Sequence, residues 1–188
     1  VSSLNFAYKI LNLPAGLLAL TISTALLPTL AAAASRNRFD EFHERTRESH
    51  TLLVCLVAPL SGFLVLCAAP IVTLAFQRGA FTVSHAEVTA RVLACYGLAL
   101  LPLAGTFLLT RVFFALEDTT TPAVVKVIAT ALNIAALTLL LPRIGIVAVP
   151  LCFAGMYFLN YVALLYAFAR QSPGTTFSLV REVFISAV

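Results

Sequence analysis

"VLACYGLALLPLAGTFLLT", residues 92–110, carries no charged side chain. At about 1.5 Å of rise per residue, a helix of this length crosses the ~30 Å hydrocarbon core of a bilayer. Its apolar residues do not form one stripe but surround the axis, as a helix embedded in lipid or in other helices requires. The segment reads as a membrane-spanning helix, and the chain on either side divides at its charges into similar lengths.

The spans run from about Leu4 to Ala34, Thr51 to Phe76, Ala86 to Leu116, Pro122 to Leu141 and Ile146 to Ala169. The second is broken by Pro59 and Pro70. A sixth begins near Glu182 and is cut short. The fold class is therefore an all-α polytopic membrane protein, a helical bundle of about five complete transmembrane helices plus the start of a sixth, in a single region over residues 1–188. Composition agrees: 61% of the 188 residues are hydrophobic, only 11% are charged, and the mean hydropathy is +0.99. The opening "VSSLNF" and the ending "REVFISAV" suggest a piece of a longer membrane protein.

The net charge of +4 reflects Lys and Arg in loops rather than a nucleic-acid surface, since no basic patch interleaves with aromatics. Cys55, Cys67, Cys95 and Cys152 lie inside apolar runs without a CxxC pair, and read as small buried hydrophobes. His43, His50 and His85 lie in polar connections without a metal-ligand spacing. There is no phosphate loop, HExxH or nucleophile elbow, and the adjacent Glu117 and Asp118 read as loop charges. An enzyme is disfavoured, and no cofactor or metal is implied.

The joints carry helix-end chemistry. Ser84 and Glu87 have capping-box spacing, and Pro122 suits a first helical position after Thr121. "SRNRFDEFHERTRESH", residues 35–50, pairs Arg36 with Asp40 and Glu41 with Arg45 at i,i+4, and lets Phe39 and Phe42 share a face. It reads as a short helix lying on the membrane surface. Arg36, Arg38, Arg45, Arg47, Arg111, Lys126, Arg170 and Arg181 fall on one side, against Lys9, Arg78, Arg91 and Arg143 on the other. Eight against four places the 35–50, 116–122 and 170–181 connections in the cytoplasm.

Polar residues inside spans are costly and are the leads to function. They are Lys9, Asn12, Thr21, Ser23, Thr24, Thr106, Thr110, Asn133 and Asn160. The Ser and Thr hydroxyls can bond back to their own helices.

Three stretches carry a family resemblance. "LNFAYKILNLPAGLLALTISTALLPTLA", residues 4–31, resembles helix eight of the MurJ/MviN lipid II flippases, with an aromatic-Ala-x-basic segment, a Pro-x-Gly and a Leu-Pro-x-Leu exit. "FQRGAFT", residues 76–82, resembles their external turn between helices nine and ten, and "FFALEDTTTPAVVKV", residues 113–127, their junction between helices ten and eleven. The resemblance implies the multidrug/oligosaccharidyl-lipid/polysaccharide transporter fold, here from helix eight to the start of helix thirteen, with the first lobe absent. It implies a multi-pass protein of the bacterial inner membrane that moves lipid II, an undecaprenyl-diphosphate-linked peptidoglycan precursor, by alternating access. The implied partners are lipid II, membrane lipid and the missing N-terminal lobe, with coupling to membrane potential or a monovalent cation left open.

Within that frame Lys9 stands where the family usually has a cavity arginine, so Lys9 and Asn12 become the substrate-binding candidates. Lysine keeps the charge and loses the bidentate fork, and Tyr8 replaces a frequent aspartate. A second reading stays open: Lys9 lies roughly 39 Å along a straight helix from Ser35, beyond a ~30 Å core, and could snorkel to the outer interface. Pro14 and Gly16 suit a kink that opens the helix, Arg78, Gly79, Asp118 and Pro122 belong to structural motifs, and Asn133 is a candidate cation contact or interhelical hydrogen bond. The competing functions are a polysaccharide or O-antigen repeat flippase of the same superfamily, and a membrane structural protein without transport.

Overall fold

The computed structural model describes residues 8–9, 11–12, 16, 28–36, 38–76 and 83–171. All regular structure among them is helical. Residues 8, 9, 11, 12 and 16 are helical, and α1 covers residues 28–35. Then come α2 (Phe39–Leu66), α3 (Ala68–Phe76), α4 (Val83–Ala115), α5 (Thr120–Ile144) and α6 (Ala148–Gln171), with a single 3₁₀ turn over Gly145–Val147. Pro14, Arg78, Gly79, the Ser84 side chain and the sixth span lie outside the described residues.

Three described stretches are long and apolar enough to cross a membrane: Phe39–Leu66, Glu87–Ala115 and Thr120–Arg170, the last folded back on itself as α5 and α6. The helix whose sequence is apolar all round is the one the others enclose. α4 packs against α2, α3 and α6, while α5 packs on α6 and scarcely touches α4. Val92, Leu93, Tyr96, Leu100, Leu103 and Leu108 are all buried on α4. Two apolar clusters stack along it. One gathers Leu11, Val57, Leu64, Val72, Leu93 and Tyr96. The other gathers Leu30, Phe42, Leu109, Phe113, Leu164 and Phe168 at the opposite end. The start of α2, the end of α4 and the end of α6 therefore share one end of the bundle, the same grouping that the Lys and Arg count gives.

Lipid is as apolar as leucine, so burial between helices gains little transfer energy and close packing does more. Two glycines on α4 show it. A Cβ on Gly97 would meet Val65 Cγ2 at 2.9 Å, and one on Gly105 would sit 2.3 Å from the Tyr161 ring. Ser61 of α2 donates to the Gly97 carbonyl at 2.7 Å across the same contact.

The structure corrects the reading of residues 35–50. They do not form a separate surface helix: α2 starts at Phe39 and runs unbroken through Pro59 to Leu66. Its 28 residues span about 42 Å, so the charged turns extend the membrane helix beyond the core. The chain breaks at Cys67, and Pro70 falls in the first turn of α3, where its missing N–H does no harm. The ion pairs are Arg38–Glu41 at 3.4 Å and Arg45–Glu48 at 3.7 Å, both i,i+3 and exposed. Phe42 is fully buried, whereas Phe39, three residues earlier at the start of the helix, is half exposed.

Candidate functional site

Lys9, Asn12 and Gly16 follow one another by three and four residues, which sets them on one helix face, and all three are exposed. Leu11 holds the segment from the opposite side, while Tyr8 is exposed and lies one turn from Asn12. Leu11 is fully buried in the core. The Tyr8 ring lies 6.0 Å from that of Tyr96 on α4 and 6.3 Å from that of Phe153 on α6. An aromatic clamp thus occupies the position where the sequence lacks an aspartate. The Asn12 amide nitrogen donates to the Tyr8 carbonyl at 3.0 Å, turning the side chain back along its own helix. Tyr96 stands four residues inside the uncharged stretch that begins at Val92. The Tyr8 ring therefore meets α4 about one turn within that stretch.

The Asp118 motif is a helix-to-helix turn. Glu117 N–H donates to Phe114 O at 3.1 Å and Asp118 N–H to Phe113 O at 3.0 Å, with Glu117 at φ 61°. That is a Schellman end to α4, with glutamate where glycine is usual. Asp118 then opens α5. Its Oδ1 accepts from Thr120 N–H at 3.1 Å, Thr120 hydroxyl at 2.9 Å and Thr121 N–H at 3.0 Å, and its Oδ2 accepts from Thr121 hydroxyl at 2.6 Å. The Thr121 hydroxyl first, then its N–H and the Thr120 donors, hold the carboxyl down at about 2. Asp118 is thus a helix cap rather than a free loop charge. Pro122 is the third residue of α5, not the first, and is buried.

Asn133 reaches across to α6. Its amide nitrogen donates to Cys152 O at 2.6 Å, beside a cavity of about 270 Å³ lined also by Leu132, Gly155 and Met156. Among the described residues no cluster of His, Cys, Asp and Glu could hold a metal ion. Thr106 and Thr110 bond back to the carbonyls of Pro102 and Thr106.

Two arrangements escape a reading by charge runs alone. His50 is fully buried, and its Nε2 shares a hydrogen bond with the Tyr161 hydroxyl. The signal was the spacing Phe42, Thr46, His50, Leu53, Val57, a single buried stripe that continues from the polar tract into the span. Lys126 is half buried, with its ammonium 4.2 Å from the centroid of the Tyr157 ring.

A family model described as "Lipid II flippase MurJ" matches residues 1–188. The chain belongs to the MurJ family. Similar MurJ relatives include the protein named "Probable lipid II flippase MurJ" of Bdellovibrio bacteriovorus, 28% identical over 96% of this chain and 34% of that protein. The one of Rhizobium meliloti is 34% identical over 77% of this chain and 27% of its own length. That of Thermotoga maritima is 26% identical over the whole chain and 38% of its own length. This chain thus spans about a third of the MurJ relatives it matches. The fold is also that of a solved structure, "Lipid II flippase MurJ, inward closed conformation", with a TM-score of 0.80 at 20% identity, over 99% of this chain and 39% of that one.

Proposed function

We propose that the chain is one portion of a lipid II flippase, helix eight to the start of helix thirteen, which works with a first lobe to move the lipid-linked peptidoglycan precursor across the bacterial inner membrane. The activity is transport rather than catalysis. The observation that carries this reading is the stripe of Lys9, Asn12 and Gly16, left exposed beside a part-exposed Tyr8 while Leu11 is buried on the same helix. A hydrophilic diphosphate head needs a polar, cationic path, and the first lobe facing this stripe encloses one. Lys9 supplies the point charge and Asn12 a neutral polar group one turn on. The position of Tyr8 against Tyr96, inside the uncharged stretch, favours the cavity over an interface anchor. Pro14 and Gly16 stay candidates, by residue type, for a kink in this helix.

The test uses the full-length protein in vesicles with fluorescent lipid II. One charge-assisted hydrogen bond is worth about 1.5–3 kcal/mol, so Lys9→Gln weakens substrate binding roughly 10- to 150-fold. Lys9→Arg transports as well as the native protein or better, and Lys9→Glu is slowest. Undiminished transport by Lys9→Gln, at equal protein in the membrane, sinks the reading.

A further inference from the structure

Consecutive helices joined by a short turn usually pack together, but α4 and α5 do not. Both lean on α6, and between them remains a slot of about 340 Å³. Phe107 and Phe114 of α4 wall one side, and Ala123 and Lys126 of α5 the other, with Tyr157 and Asn160 of α6 as the floor. Asn160 is buried, at 1% exposure, and its Nδ2 has no hydrogen-bond partner among the described residues. That nitrogen is itself closed off, so the cost of about 1–3 kcal/mol that such a donor carries is not relieved from the slot. Lys126 lines the same slot. A lysine with nothing to hold stretches toward the interface. Here the ammonium lies on the Tyr157 ring instead, a turn farther along α6 from the α4–α5 junction than Asn160. A second cation, Arg111, stands 5.7 Å from the ring of Phe114 near the mouth. No carboxylate lines the slot, and the one beside it, on Asp118, already accepts from Thr120 and Thr121.

A cation between aromatic walls suits an anion that arrives with a hydrocarbon chain. The outer face of α5 beside the slot presents exposed Val124, Val127, Ile128 and Leu132, a surface for acyl chains. We propose that this slot binds an anionic phospholipid of the leaflet on the α4–α5 turn side, which is the cytoplasmic one in the orientation given by the charge count. Its phosphate takes hydrogen bonds from Lys126 Nζ, and an acyl chain lies along Phe107 and Phe114. The site is separate from the Lys9 stripe, and its test does not depend on transport.

The experiment is native mass spectrometry of the full-length protein exchanged into phosphatidylglycerol or phosphatidylcholine. The native protein retains one more tightly held phosphatidylglycerol than Lys126→Gln does, with an affinity difference of about five- to tenfold. Phosphatidylcholine shows no such difference. Ala123→Phe, which fills the slot while leaving the lysine in place, loses the same lipid. Lys126→Arg keeps it. Equal retention by the native protein and by either Lys126→Gln or Ala123→Phe overturns the proposal. So does displacement by millimolar inorganic phosphate, which would make this an aqueous anion site. Displacement by lipid II at stoichiometric amounts would assign the slot to the substrate path and overturn it as well.

Discussion

His50 of α2 and Tyr161 of α6 are bonded through Nε2 and the phenol hydroxyl, with ring centroids 6.1 Å apart and planes 8° from parallel. The opposite side of the Tyr161 ring rests on Gly105 of α4. Three helices meet at this point, where a bare Cα on one lets an aromatic of the second reach a polar group of the third.

Gly105→Ala tests that joint. Its Cβ would fall 2.3 Å from the Tyr161 ring, so the ring must move and the bond to His50 must lengthen. Overpacking of this kind destabilises by about 1–3 kcal/mol. Gly155→Ala meets nothing within 4 Å and serves as the control. Thermal unfolding of the full protein in detergent should show a clear drop for the first and almost none for the second. Equal midpoints would contradict the packing described.

Asp118 predicts a pH dependence. Its carboxyl is depressed from 3.8 to about 2 by donors that exist only in the folded turn. A depressed acid adds stability that is complete above the unfolded value and is lost as pH falls through the folded one, here between about 4 and about 2. Because the group is open to solvent, screening limits its worth to about 1 kcal/mol. Amide exchange at Thr120 and Thr121 should quicken severalfold in Asp118→Ala at neutral pH. The difference from native should vanish toward pH 2; a gap that persists there would disprove the charge-based cap.

Glu117 sits at φ 61°, a left-handed backbone that a side chain disfavours by about 1–2 kcal/mol and glycine does not. Glu117→Gly should therefore leave stability unchanged or raise it by up to about 1 kcal/mol, because the added freedom of the unfolded chain offsets part of the relief. A loss larger than that in chemical unfolding would mean that the glutamate side chain holds the turn.

Orientation is open to chemical labelling. With the four native cysteines replaced, Asn37→Cys and Thr120→Cys in the full protein should be shielded from an impermeant external thiol reagent, and Thr82→Cys should react. Reaction at position 37 in sealed cells would invert the topology.

The span of α4 was legible because lipid tolerates few charges, so Arg91 and Arg111 bracket its core almost by themselves. The polar tract was not, because its charges hid a continuous helical period: Phe42 and His50 belong to the same buried stripe as Val57. Pro122 was misplaced by two residues because Asp118, rather than Thr121, supplies the cap. At the candidate site, the common face of Lys9, Asn12 and Gly16 follows from spacing alone. The slot beside Lys126 does not. It exists because α5 leans on α6 instead of α4, a choice made between distant side chains that no local pattern records.

The unbroken course of α2 makes it a lever. Its buried fulcrum is His50, with about 17 Å of arm out to Phe39 and about 24 Å in to Leu66. The long arm is held on α4 by the Ser61 hydroxyl on the Gly97 carbonyl and by Val65 against Gly97, so a push on the short, charged arm is carried into α4. The joint at Cys67 stays bonded, Cys67 N–H to Phe63 O at 2.8 Å and Ile71 N–H to Cys67 O at 3.0 Å, so α3 is carried along with the far end of the same rod.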